Sequence, residues 1–363
     1  MILRHSILPL AVVAGSLLCA EAAHAQGCIV GRQCTPGAVG RNSFVMPGQV
    51  DFTLNYRTFV ADKHYNGTVR QTIREELKNF VVNRQNLWDI TATIGKTDRS
   101  NLIVSIPWID SGWSIPRPVG SATQTPGVRS QQNGNGLGDI SASWRTWLRN
   151  PESADKGNLA VSLGVKLPTG NARETNILPD REGLNFQPRI VDQSIQPGDG
   201  SYGFPVGVEG YRRIRTGLTV FGTMNYLVSP RDTNGVPSGR TVNADAPSIG
   251  VFSVPDQYLY RLGVGRQDPK VEGLSYAIAW RKEGVPQKDL IGGHHGWRRP
   301  GYSTSIEPSV SYLRGDTTWN LAVPLTTFRN RVPHNPDGKE IAGDSTFADF
   351  QIILSVTRRA NFR

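Results

Sequence analysis

The chain has 363 residues, of which 38% are hydrophobic, and a formal net charge of +10. Its mean hydropathy of -0.34 excludes a protein built from several membrane-spanning helices, each of which needs roughly 20 mostly apolar residues. Arginines are scattered along the whole chain, whereas a nucleic-acid binder concentrates its basic residues in one patch. We therefore expect no nucleic-acid partner and favour contacts with anionic lipid head groups or anionic solutes.

The first residues have the organisation of a secretory signal. A charged start is followed by an apolar run over residues 7–15 and by the small-residue ending Ala23-His24-Ala25. This order predicts a signal peptide over residues 1–25 that is cleaved after Ala25. The alternative is an uncleaved membrane anchor, but Glu21 interrupts the run before it reaches membrane-spanning length. The mature protein is therefore predicted to be exported.

Two cysteines, Cys28 and Cys34, remain after cleavage. In an oxidising compartment a close pair predicts a small disulfide loop. We place it in a periplasmic N-terminal segment that spans residues 26–47. Two thiols alone make a poor metal site, so no metal and no cofactor are expected there.

Apolar and polar residues alternate from residue 48 to the C-terminus, as in Val50, Phe52, Leu54 and Tyr56. The stripes lie at residues 50–56, 88–94, 102–108, 140–148, 159–167, 202–208, 218–226, 258–264, 274–280, 306–312, 319–325 and 350–356. A period of two predicts strands with one face toward lipid and the other toward a lumen. We count about twelve strands, within a range of 10 to 14, and bacterial barrels of one chain have an even number.

Short and long connections alternate between these stripes. The short ones lie at residues 95–101, 150–157, 213–217, 267–273 and 314–317, and the long ones include 110–135, 168–200, 229–256 and 328–345. Transmembrane barrels have tight turns on the periplasmic side and long loops outside, whereas a soluble β-sandwich has no reason for this rhythm. The sequence therefore predicts an all-β fold, a transmembrane antiparallel up-and-down β-barrel, over residues 48–363. Helical spacing of Val69, Ile73 and Leu77 predicts a short helix in the first long loop.

Three glycine-containing motifs lie in the middle of the chain. Gly136-Leu137-Gly138-Asp139 opens a strand, Lys166-Leu167-Pro168-Thr169-Gly170 ends one, and Gly198-Asp199-Gly200-Ser201 begins another. This pattern resembles the MetA-pathway phenol-degradation family of outer-membrane proteins, which are also described as transporters, over about Asp139 to Tyr226. The resemblance implies an outer-membrane channel linked to aromatic or other hydrophobic compounds. The long insertion at residues 171–196 departs from the family, and we expect it to fold over the mouth.

Motifs of barrel enzymes are missing from the sequence. It has no H-x-S-N-G run, no His-x-Ser arrangement and no G-x-S-x-G elbow, so we predict no catalytic residues and no enzyme activity. The adjacent His294 and His295 could bind one metal ion only in a loop, since neighbouring residues of a strand point to opposite faces. No carboxylate or cysteine cluster accompanies them, so a solvated loop is the preferred interpretation.

The register predicts which charged side chains point into the lumen. They include Asp51 and Asp349 and, as the nine candidates for the solute path, Arg57, Asp89, Asp139, Arg145, Lys166, Glu209, Arg261, Arg281 and Glu307. They are interpreted in two ways: as pairs that hold the interior together, or as the charges that set the field of a solute path. We predict an outer-membrane channel for small, hydrophobic or aromatic molecules that works by passive diffusion. The alternative is a structural or adhesive barrel with a plugged lumen. The expected partners are outer-membrane lipids, a small-molecule solute and the outer-membrane assembly machinery.

Overall fold

The computed structural model describes residues 44–116, 129–180, 183–242, 244–341 and 343–362. The predicted signal peptide and the predicted Cys28–Cys34 disulfide lie outside these ranges. Within the described residues, no helix is both long enough and apolar enough to cross a membrane.

Twelve antiparallel strands form a closed barrel, which confirms the predicted fold. Their bounds are β1 Gln49–Asn66, β2 Val82–Gly95, β3 Ser100–Pro116, β4 Arg129–Leu137 with Ser141–Trp147, β5 Gly157–Lys166, β6 Phe204–Arg215, β7 Leu218–Val228, β8 Gln257–Gln267, β9 Leu274–Val285, β10 Gly301–Arg314, β11 Thr317–Ala322 with Leu325–Arg331, and β12 Ser345–Ala348 with Ile352–Asn361. Each strand pairs with its neighbours in the chain, and β12 pairs with β1 from Asn361 opposite Gln49 to Ile352 opposite Thr58. This last pairing closes the barrel.

Three of the strands are interrupted. The two parts of β4 pair with successive stretches of β3, and the two parts of β11 pair with successive stretches of β10. The break in β11 contains Pro324, which has no N–H to donate to the ladder. In β12 the break spans residues 349–351, and both parts pair with β1.

The barrel has one end of short turns and one end of long loops. The turns between β2 and β3, β6 and β7, and β10 and β11 lie at the same end as both ends of the described chain, because all neighbouring strands are antiparallel. A helix, Thr72–Glu76, lies in the first long loop, where the apolar spacing predicts one. The predicted loop over residues 110–135 is wrong in extent: β3 continues to Pro116, and Arg129–Leu137 pairs with its last residues.

The two faces of the barrel wall differ in polarity. Outward-pointing apolar side chains are exposed, among them Phe52 at 47%, Ile90 at 55%, Leu163 at 63% and Ile278 at 52%. Inward-pointing residues of the same strands are polar and buried, such as Thr53 and Asp89. An apolar outer surface around a polar interior inverts the arrangement of a soluble protein and is typical of a transmembrane barrel.

The long loops pack together into a cap. It contains the hairpin Thr175–Leu178 with Gln187–Ile190, the pair Thr233–Pro237 with Val251–Ser253, the two-residue strand Val69–Arg70, and the 3-10 helices Gln193–Ile195 and Pro247–Gly250. Val236, Ile249, Phe252 and Trp297 form its buried apolar core. The fully buried pair of Arg298 and Asp289, with N–O distances of 2.8 and 2.6 Å, joins two parts of the connection between β9 and β10.

Candidate functional site in the barrel lumen

An ionic network crosses the lumen between β1 and the wall formed by β8, β9 and β10. The Arg57 guanidinium lies 3.1 Å from the Glu283 carboxylate, which is 2.7 Å from Arg281. Arg281 also contacts Glu307 at 3.0 Å, and Glu307 in turn contacts Arg261. Arg57 and Glu283 are 226 residues apart in sequence and belong to strands that do not pair. The network is therefore a bridge through the interior.

Mutual pairing makes these buried charges tolerable. Arg261 and Arg281 are direct cross-strand neighbours, and two like charges in that position repel. Glu307 accepts a hydrogen bond from both arginines and so links them. Together the three arginines and two glutamates of the bridge leave one positive charge. The interior is thus slightly cationic where the bridge crosses it.

Gln351 completes the bridge on the side of β1. It lies in the break of β12, accepts a hydrogen bond from Nε of Arg57 at 2.8 Å and donates to Glu283 at 2.5 Å. The interruption of the strand therefore places a polar residue where it orients both partners of the crossing ion pair.

On the long-loop side of the bridge, the lumen is narrowed by the connection between β5 and β6. The side chain of Asn83 donates to the hydroxyl of Ser194 at 2.6 Å, and Gln85 donates to the carbonyl oxygen of Ser194 at 3.2 Å. A Cβ atom at Gly134 would lie 1.8 Å from the carbonyl oxygen of Ile195. Glycine is therefore required where this connection meets β4. The insertion at residues 171–196, which is predicted to fold over the mouth, also brings Ser194 and Ile195 against the inner wall.

A cavity of about 380 Å³ lies on the short-turn side of the bridge. Hydroxyl and amide side chains line much of it, including Thr53, Thr91, Ser105, Thr223 and Asn225. Such groups exchange hydrogen bonds with water or with a polar solute. This half of the lumen is therefore suited to hydrated contents.

Arg145 lines this cavity and is connected through Asn101 to the residues before β1. Arg145 contacts Glu209 at 2.8 Å and donates to Asn101 at 2.9 Å. Asn101 donates to the carbonyl oxygen of Val45 at 2.6 Å, and Phe44 packs against the inward-facing Trp147. The chain immediately before β1 therefore lies inside the short-turn end of the barrel.

Lys166 and Asp139 lie at the long-loop end, in a clamp between the three glycine motifs. The Lys166 ammonium contacts Asp139 at 3.1 Å and Asp199 at 2.5 Å and donates to the carbonyl oxygen of Ser201 at 2.8 Å. A Cβ at Gly198 would lie 2.3 Å from the carbonyl oxygen of Gly170. The motif residues thus hold the two ends of the β5–β6 connection together.

A second cavity, of about 560 Å³, opens among the loops at the mouth. Arg74, Arg189, Arg240 and Arg299 contribute its cations, and Asp180, Asp192 and Asp344 contribute its carboxylates. Apolar walls come from Trp113, Ile115, Leu178 and Ile190. The mouth therefore combines an apolar surface with charged groups.

Most carboxylates of the mouth are neutralised locally. Burial opposes the ionisation of Asp344, but His64, 3.1 Å away, and the charge of Arg74 outweigh it and lower the pKa of Asp344 to about 2. Arg299 forms a two-pronged ion pair with Asp192 and, against the effect of burial, lowers the pKa of that carboxyl. Asp180 accepts hydrogen bonds from the backbone N–H groups of Leu184 and Asn185, at 2.9 and 3.2 Å.

The nine charged residues predicted for the lumen do not form one site. Arg57, Arg261, Arg281 and Glu307 meet in the bridge, Arg145 pairs with Glu209, and Lys166 pairs with Asp139. Asp89 accepts a hydrogen bond from Asn55 at 3.3 Å and lines the 380 Å³ cavity. Glu283 and Gln351 are bridge residues that the sequence reasoning missed. Glu283 could have been found, because it lies two residues after Arg281 on the same strand and alternate residues of a strand point to the same face.

Asp349 differs from its expected surroundings, whereas the histidine pair lies in a loop as predicted. Asp349, which the register directs inward, lies in the break of β12, where its side chain is 55% exposed and 2.6 Å from Arg329. His294 and His295 lie in the β9–β10 connection with stacked rings, and His295 lies 2.6 Å from Asp232. Among the described residues, no group of three or more metal-binding side chains is suited to an ion.

The fold has solved counterparts. An outer-membrane channel from Pseudomonas putida F1 matches with a TM-score of 0.57 and 13% identity, covering 90% of this chain and 100% of that one. A FadL homologue of Pseudomonas aeruginosa matches with a TM-score of 0.43 and 7% identity, covering 94% of this chain and 100% of that one. The toluene transporter TodX of Pseudomonas putida matches with a TM-score of 0.40 and 9% identity, covering 93% of this chain and 96% of that one. At these identities the first similarity establishes the fold alone. No family model and no curated protein matches the sequence.

Proposed function

We propose that the protein is a passive outer-membrane channel for small molecules. The observation that carries the proposal is the position of two cavities on either side of the charged bridge, one of about 380 Å³ inside the barrel and one of about 560 Å³ among the loops at its mouth. The apolar outer wall supports a position in a lipid bilayer, and the predicted signal peptide supports export to the outer membrane. The shared fold of a known outer-membrane channel supports a channel role. The resemblance of the glycine motifs supports hydrophobic or aromatic solutes as the cargo.

The charged residues of the lumen have a defined part in this proposal. Arg57, Arg261 and Arg281 set the field at the level of the bridge, as rings of charge do in pores. Arg145 acts on the solute in the cavity on the short-turn side. Lys166 and Asp139 act indirectly, since they fix the ends of the β5–β6 connection.

Planar-bilayer recording of the refolded mature protein tests this function. A channel should give discrete current steps, and vesicles that contain it should take up small aromatic compounds faster than empty vesicles. Replacing Arg57 by alanine removes the side chain that crosses the lumen, so the unit conductance should rise. Arg215, an exposed residue at the end of β6 next to a short turn, provides the matched control as Arg215→Ala.

The second candidate is a structural or adhesive barrel with a closed lumen. Two observations favour it: the bridge from Arg57 to Glu283, and the contacts of Ser194 with Asn83 and Gln85. If the wild type and Arg57→Ala both show no current and no uptake, this second function replaces the first. Fractionation of cells that express the protein would separately test the outer-membrane location.

A further inference from the structure

We propose that the 560 Å³ mouth cavity is a binding site for small aromatic carboxylates. The proposal rests on the channel function above and names the class of solute that the mouth selects. Its volume falls within the range of small-molecule sites, about 300–1,000 Å³. Such sites are mostly apolar and hold a few polar groups that orient the ligand, which is the composition of this cavity.

The charges that line the cavity favour an anionic ligand. It has four arginines against three aspartates, and each aspartate is already occupied. Asp344 pairs with Arg74, Asp192 pairs with Arg299, and Asp180 is held by the backbone of its own turn. The cations therefore exceed the available carboxylates, and a ligand carboxylate would restore the balance.

Arg189 is the residue best placed to receive the anion. It is half-buried on the strand Gln187–Ile190, and its Nε atom has no hydrogen-bond partner among the described residues. The side-chain oxygen of Gln187, in the amide orientation that satisfies both groups, accepts hydrogen bonds from the two terminal nitrogens of Arg189. Two carboxylates of the cavity, Asp192 and Asp344, pair with Arg299 and Arg74 instead. A guanidinium presents a planar fork of donors that matches a carboxylate.

The apolar part of the cavity favours an aromatic ring. Trp113 is half-buried and lies on β3, where it faces inward next to Asn83 and Gln132. An indole offers a flat face on which an aromatic ring can stack. Ile115, Leu178 and Ile190 extend the apolar wall around it. A ring against Trp113 with its carboxylate toward Arg189 would use both halves of the cavity.

Calorimetric titration of the full-length mature protein in detergent tests the site with benzoate as the probe. Benzyl alcohol has the ring without the charge, and acetate has the charge without the ring. We expect benzoate to bind at least about tenfold more tightly than either, which corresponds to about 1.4 kcal/mol. Arg189→Gln should remove the preference of benzoate over benzyl alcohol, Arg189→Lys should retain most of it, and Trp113→Leu should reduce the preference over acetate. Arg215→Gln, at the opposite end of the barrel, should leave every affinity unchanged.

Two results would overturn the proposal. One is equal affinity of the wild type for benzoate and benzyl alcohol, or a preference that survives in a correctly folded Arg189→Gln barrel. The other is inorganic phosphate competing as strongly as benzoate, which would indicate a plain anion site. The channel function is judged by a different measurement: benzoate binding without current refutes the channel and keeps the site, whereas current without a benzoate preference keeps the channel and refutes the site.

Discussion

Replacing Glu283 by alanine tests how the interior of the barrel is held together. The Glu283 side chain is 4% exposed, and its carboxylate is shared by Arg57 at 3.1 Å, Arg281 at 2.7 Å and Gln351 at 2.5 Å. In the Glu283→Ala barrel, Glu307 would be the remaining bridge carboxylate facing the three arginines. Removing one partner of a buried ion pair costs about 3–5 kcal/mol, because the other charge stays buried without compensation. We expect the free energy of unfolding to fall by about that amount.

Guanidinium-induced unfolding in detergent micelles, followed by tryptophan fluorescence, measures this loss. Glu283→Gln keeps one acceptor oxygen for the arginines, so its loss should be smaller than that of Glu283→Ala. Glu272→Ala is the matched control: Glu272 is exposed in the turn between β8 and β9, and such a change should stay within about 0.5 kcal/mol. A loss below about 1 kcal/mol in Glu283→Ala would show that solvent or neighbouring side chains replace the carboxylate and that the bridge does not hold the barrel.

Three further predictions concern the clamp, the lumen and the cap. Lys166→Met removes the ammonium that joins the ends of the β5–β6 connection, so proteases should cut that connection faster than in Lys156→Met, a control in an exposed turn. Arg145→Glu converts a cation of the lumen into an anion, so the reversal potential in a salt gradient should move toward cation preference; an unmoved potential would take Arg145 out of the solute path. Burial lowers the pKa of His334, which donates to the carbonyl oxygen of Gly296 at 2.6 Å, to about 3. Because the unfolded value is about 6.5, the stability contributed by the neutral imidazole is complete above about pH 6.5 and is lost as the pH falls toward 3, by at most about 1.4 kcal/mol per pH unit. In His334→Gln the free energy of unfolding should depend less on pH between about pH 3 and pH 6.5.

The barrel could be predicted because its wall imposes a local rule. Each side chain points either to lipid or to the lumen, so Phe52, Ile90 and Leu163 reveal their strands without reference to any other residue. The rule weakens where strands extend beyond the apolar band. Residues 110–135 lack an apolar stripe and look like a loop, yet β3 continues through Trp113 and pairs with Gln132. Backbone pairing and side-chain hydrogen bonds, such as those of Ser111 with Gln85 and of Arg129 with Ser114, sustain that part of the wall.

The partners across the lumen could not be predicted in the same way. Parity places Arg57 and Arg281 inside the barrel but does not say which levels of the wall face each other. That depends on the tilt and stagger of all the strands. Arg57 meets Glu283 across 226 residues of sequence, and Gln351 enters the same network through a strand break that no periodicity marks. The mouth cavity could not be predicted either, because residues of several loops line it.

The glycine motifs and the proposed solute site have different roles in the mouth. Lys166, Asp139 and Asp199 join the start and the end of the β5–β6 connection, and Gly170 packs directly on Gly198. The motif residue types are therefore explained by the closure of this clamp. Leu178, Arg189 and Asp192, which line the mouth cavity, all lie between the two clamped ends. The family resemblance rests on the motif residues that form the clamp, so it predicts how the two ends of the β5–β6 connection are held. The choice of solute depends on other residues, those of the insertion between the two ends.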